Sequence, residues 1–110
     1  IHLFRFRERN NNVMGYIRVS IMSPKEGKEL EVRGLFEKNI APAIASAVGL
    51  ESSDVNVTES GTIVNIESWE SEGAWESHRD NVTADAEMVA EFQGLLASFS
   101  DESGTSLFTA

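Results

Sequence analysis

The segment Gly61–His78 reads GTIVNIESWESEGAWESH. Its first half is strand-like: Ile63, Val64 and Ile66 are β-branched, and the run closes on Trp69. Its second half is helix-like. Ser71 stands where it can cap the free amides of a short helix that carries Trp75 and His78 to about Asp80.

Toward the N-terminus, Ser53–Thr58 reads as a second strand, and Glu59-Ser60-Gly61 is a link short enough to join it to Thr62–Trp69 as an antiparallel hairpin. Tyr16–Met22 alternates, with Ile17, Val19 and Ile21 pointing one way and Tyr16, Arg18 and Ser20 the other. Ser23-Pro24-Lys25-Glu26 has the residues of a capping box and predicts a helix start, followed by an apolar face of Leu30, Val32, Leu35, Phe36 and Ile40. Pro42 has no amide hydrogen, so a break or kink is expected near Ala41, then a helical segment to Val48 with Gly49 as its cap. Toward the C-terminus, Thr83 is expected to cap a longer helix whose stripe is Met88, Phe92, Leu95, Leu96 and Phe99. Asp101–Gly104 then reads as a turn and Thr105–Thr109 as a last strand.

The order β-α-β-β-α-β predicts an α+β domain of the ferredoxin-like kind, with an antiparallel sheet and both helices on one face. The domain is expected to span 14–110. Residues 1–13 (IHLFRFRERNNNV) read as an extra edge strand with a turn, or as sequence appended to the domain. The plan leaves one sheet face uncovered, and a homodimer paired through the sheet would cover it.

Composition narrows the function classes. A net charge of −9 disfavours nucleic acid and anionic membranes as partners. Eight of the nine basic residues lie within residues 1–38; from Asn39 onward there are thirteen acidic residues and one basic residue, Arg79. That imbalance suits either a solvated acidic surface or charge complementarity between two copies. Cysteine is absent, so disulfides, thiol chemistry and thiolate metal sites are excluded, and no His/Asp/Glu pattern has metal-ligand spacing. No apolar run is long enough for a membrane span, and no secretory leader is visible at the N-terminus, so a cytoplasmic location is expected.

Asn65 and Trp69 are four apart on a strand and share a face. An asparagine among apolar neighbours either ties the sheet to a neighbouring backbone or holds a substrate oxygen as a preorganised donor. Trp69 suits a core or a pocket wall. Trp75 and His78 share a helix face, and His78 is either a surface or interface residue or a general base for an acidic phenolic or enolic proton. Glu67, Glu70, Glu72 and Glu76 read as a solvated rim around the helix start, where acidic side chains suit the helix dipole.

The segment Gly61–His78, with its W-E-S-x-x-A-[aromatic] core, resembles the antibiotic biosynthesis monooxygenase family of dimeric α+β barrels, and element order extends the resemblance over Met14–Ala110. The strand is most similar to that of the anthrone-oxidising members, V-V-N-x-x-x-W-E-S-E. The resemblance implies a pocket containing Asn65 and Trp69. The family's pocket tyrosine falls on Trp75 and its helical arginine near Val89, two departures. It further implies oxygenation without flavin, metal or other cofactor, in which the substrate reacts with O2 once it has become an electron-rich anion. Haem-degrading relatives need an asparagine on the first strand, a tryptophan where His78 stands and a later histidine, none of which is present.

The expectation is a dimeric, cofactor-independent monooxygenase for a small aromatic, phenolic or quinol-like molecule. Asn65, Trp69 and His78 are its catalytic candidates, and Trp75, Met88 and Phe92 its substrate-binding ones. Trp69 and Trp75 are expected to line one cavity with His78 near its mouth. A non-catalytic ligand-binding or stress-response dimer, or a proton-transfer isomerase, are the alternatives.

Overall fold

The computed structural model describes residues 15–108, and the extension 1–13 lies outside them. Four strands form one antiparallel sheet in the order β2-β3-β1-β4: β1 is Tyr16–Pro24, β2 Leu50–Val57, β3 Ile63–Trp69 and β4 Leu96–Gly104. Helix α1 (Glu29–Leu35) continues through a π turn (Phe36–Ile40) into α2 (Ala41–Ala45); α3 (Glu72–Thr83) and α4 (Ala86–Leu95) follow β3. This is the expected ferredoxin-like α+β plan. No helix among the described residues is long and apolar enough to cross a membrane.

Register decides which side chains meet. Tyr16, Arg18, Ser20 and Met22 on β1 stand opposite Trp69, Glu67, Asn65 and Ile63 on β3. Paired residues of antiparallel strands share a face. Ile63 packs with Val32, Phe36, Ile40, Ile44, Met88 and Phe92, so this is the helix side. The opposite set, Ile17, Val19 and Ile21 with Val64 and Ile66, therefore occupies the uncovered face, where Ile21 is 37% and Ile66 43% exposed. Both edges of the sheet, β2 and β4, are mostly exposed along their length.

Several boundaries differ from the sequence reading. Ser23 and Pro24 belong to β1, paired with Ser98 and Leu96 across a register shift, and the helix begins only at Glu29, without a side-chain cap. Gly27 has φ +80°, which no right-handed helix admits, and it separates the expected cap from the helix. Leu30 is exposed, because a position two residues from the buried Val32 lies on the other side of a helix. The helix does not break at Pro42. Instead the Ala41 amide donates to the Phe36 carbonyl, five residues back, and the wider turn absorbs the hydrogen bond that proline cannot make.

Gly49 has φ +87° and sits where a Cβ would come within 2.7 Å of the Ala74 Cβ, so glycine is what lets α3 approach. Ser71 caps α3 as expected, accepting from the Ala74 amide at 3.1 Å, but α3 runs on to Thr83. Thr83 donates back to the Arg79 carbonyl, and it is Asp85 that caps α4 through the Met88 amide. The apolar stripe stops at Leu95. Leu96 is already extended, so Phe99 and Asp101–Gly104 lie on β4 rather than on a helix and a turn, and residues 105–108 form no strand. Apolar residues at 95, 96 and 99 satisfy a helical stripe and a strand equally, which hid the boundary.

Candidate functional site

Strand alternation brings Asn65, Glu67 and Trp69 onto the helix side of β3, where all three are buried. The Glu67 carboxylate is their common partner. Asn65 Nδ2 donates to Glu67 Oε2 at 2.8 Å, and Trp69 Nε1 donates to Glu67 Oε1 at 3.0 Å. Asn65 Oδ1 accepts from the Ser53 hydroxyl at 3.4 Å. Glu67 is therefore not part of a solvated rim, being 6% exposed. Its place was signalled by parity: it lies two residues from both Asn65 and Trp69 on one strand, and must share their face.

His78, from α3, lies against Trp69 with ring centroids 4.9 Å apart and planes tilted by 35°. Burial lowers its pKa below the ordinary 6.5, because a charged imidazole is poorly solvated there; the Glu67 charge opposes this and raises it. Burial thus favours the neutral form of the ring.

Trp75 belongs to a different group. It packs on Tyr16 at 5.7 Å between centroids, while the Arg18 guanidinium lies 3.8 Å from its ring centre and that of Arg79 4.8 Å. Arg18 is ion-paired with Asp101, and its buried Nε has no hydrogen-bond partner.

A cavity of about 380 Å³ lies on the helix side of the sheet toward the Met22 end, lined by Met22, Ile40, Met88, Phe92 and Phe99 among others. No charged side chain lines it; Thr83, Gln93 and Ser98 supply its polar groups. Met88 and Phe92 are thus cavity residues, while Asn65, Trp69, Trp75 and His78 are not among its walls. Asn65 lies two residues along β3 from Ile63, about 7 Å away, and Ile63 is paired across the sheet with the cavity wall Met22. Among the described residues no group of three His, Asp or Glu side chains could hold a metal ion.

The sequence profile of the family described as "Antibiotic biosynthesis monooxygenase" matches residues 14–93. No curated protein matches the chain in sequence. Among solved structures, the fold is similar to that of the ActVA-Orf6 monooxygenase of Streptomyces coelicolor, determined in complex with nanaomycin D. The identity is 19%, the TM-score 0.69, and 94% of this chain and 96% of that one are covered. It is also similar to a mutant form of SnoaB, a cofactor-independent oxygenase from Streptomyces nogalater (14% identity, TM-score 0.71, covering 86% and 95%). A dimeric ferredoxin-like protein from an uncultured marine organism shares the fold at 9% identity and TM-score 0.72, covering 94% and 96%.

Proposed function

We propose, since the chain belongs to the antibiotic biosynthesis monooxygenase family, that it is a homodimeric, cofactor-independent monooxygenase of a small aromatic, phenolic or quinol-like substrate. One observation carries the reading: an uncharged apolar cavity of about 380 Å³ lies on the same side of the sheet as the buried Asn65, Glu67 and Trp69 and the half-buried His78. That volume suits a small ring system. The binding of nanaomycin D by the similar S. coelicolor monooxygenase supports a small-molecule ligand.

In this reading Met88 and Phe92 hold the ring system and His78 removes its acidic proton. Asn65, which has one amide hydrogen left after serving Glu67, steadies the resulting oxyanion, and Trp69 fixes the His78 ring. The anion then gives electrons to O2. One oxygen atom enters the substrate, converting a ring methylene to a carbonyl, and the other leaves as water with the two hydrogens. The pairing of two copies is supported by the apolar uncovered face, Ile17, Val19 and Ile21 with Val64 and Ile66.

The test is oxygen uptake against a panel of anthrones, quinols and hydroxynaphthalenes, with flavin and metal removed. Uptake matched mole for mole by a quinone product is expected. A specific observation favours a second reading, a ligand-binding dimer without catalysis: the polar groups of Asn65 and Trp69 are engaged within the protein rather than on the cavity wall. Tight binding of these compounds with no uptake would decide for it.

A further inference from the structure

Glu67 is the one acidic side chain among the described residues that is buried. Removing a carboxylate from water costs several kcal/mol unless hydrogen bonds replace the lost hydration. Here the replacements are two side-chain donors from its own strand, at i−2 and i+2, one to each oxygen. A glutamine would fill the same space but offers a single acceptor oxygen, and its NH2 would face one of the two donors. The site therefore requires a carboxylate and not merely a polar side chain of that shape.

We propose that Glu67 is the positioning residue of the site: its carboxylate locks the Asn65 amide and the Trp69 indole, and through that indole the His78 ring, into one coupled unit. The catalytic meaning of this unit rests on the reading of His78 as the base; its geometry does not.

The other charged groups around His78 are committed elsewhere. Arg18 of β1 pairs with Asp101 of β4 and lies over Trp75. Arg79 and Asp80, next on α3, pair with each other at 3.1 Å in the exposed surface. Helix α2, beside α3, carries no charged residue, and Glu87 and Glu91 of α4 are exposed. Glu67 is the charge that acts on the His78 ring, raising its proton affinity against the effect of burial. A proton arriving on His78 in turn draws on the carboxylate that holds Asn65 and Trp69.

Proton NMR titration of the full chain, without substrate, tests this. In the wild-type protein the Trp69 indole N–H resonance is expected to move with pH at the same midpoint as the His78 ring protons. In Glu67→Gln the His78 midpoint is expected to fall, and the Trp69 N–H to lose its low-field position. An indole resonance that ignores the His78 titration overturns the coupling using the wild-type protein alone, whether or not the variant folds. An unchanged His78 midpoint in a folded Glu67→Gln overturns it independently. Because no substrate is present, coupling seen by NMR with no oxygen uptake on any compound leaves this proposal standing and removes the monooxygenase reading instead.

Discussion

The indole of Trp69 lies on the imidazole of His78 with ring centroids 4.9 Å apart, while its N–H points away to Glu67. The flat face of the tryptophan thus sets the plane of the only histidine among the described residues, and its edge ties that plane to the sheet.

If His78 is the base, His78→Gln should lower kcat/KM about 100-fold or more, the usual worth of a positioned general base. In the wild type log(kcat/KM) should fall on the acid side of a pKa below 6.5, since burial depresses the ring. The variant should lose that limb and recover partly at high pH, where the substrate ionises unaided. A pH–rate profile that is the same in both proteins would remove His78 from the mechanism.

The same depressed pKa has a consequence for stability. Folded His78 binds a proton less readily than unfolded His78, so the unfolded state takes up more protons as pH falls through the histidine range. Stability present above about pH 6.5 is lost below it. The urea midpoint should drop between pH 7.5 and pH 5.5, and His78→Gln should drop less. An equal fall in the two proteins would show that other groups account for it.

The cavity can be tested without reference to chemistry. Val89 is a partly buried cavity wall, so Val89→Phe should fill space without removing core contacts. Binding of a tricyclic ligand should weaken at least tenfold, with stability changed by about 1 kcal/mol or less. Phe92→Ala should instead cost about 3–5 kcal/mol, because Phe92 is also a core residue. Unaltered binding in Val89→Phe would place the ligand elsewhere.

Ile66 projects from the middle of the uncovered sheet face. Ile66→Asp should convert a dimer to a monomer by sedimentation at micromolar concentration while circular dichroism stays native. A wild-type monomer at that concentration would contradict the dimer outright.

Gly49→Ala should destabilise by about 1–3 kcal/mol in chemical denaturation, combining a left-handed backbone with the crowding of Ala74. A neutral result would mean that α3 moves aside freely.

Much of this was legible beforehand where period and chemistry agreed. The β3 alternation and the Ser71 cap depend on neighbours within a few residues, and both appear in the structure. The start of α1 did not follow from its capping residues, because the Pro24 segment found a partner strand 72 residues away at Leu96. The same strand pairing captured Phe99 and Asp101 from an apparent helix and turn. The burial of Glu67 is hidden in the sequence for a different reason: its neighbours Glu70, Glu72 and Glu76 are acidic and exposed, and composition obscures the alternation that buries it. The grouping of Trp75 with Tyr16 and Arg18 depends on where α3 lies across β1, which local sequence does not specify.

Both rims of the sheet carry acidic side chains: Glu51 and Asp54 on β2, and on β4 Glu102, next to the Asp101 that Arg18 neutralises. Open strands invite a neighbouring molecule to continue the sheet, and acidic side chains along both margins repel such an approach at neutral pH. Near the sequence pI of about 4.6, where the repulsion fades, the same backbone groups become free to join molecules side by side. Mild acid should therefore drive the chain into ribbon-like aggregates before it unfolds, a hazard to any assay run on the acid side.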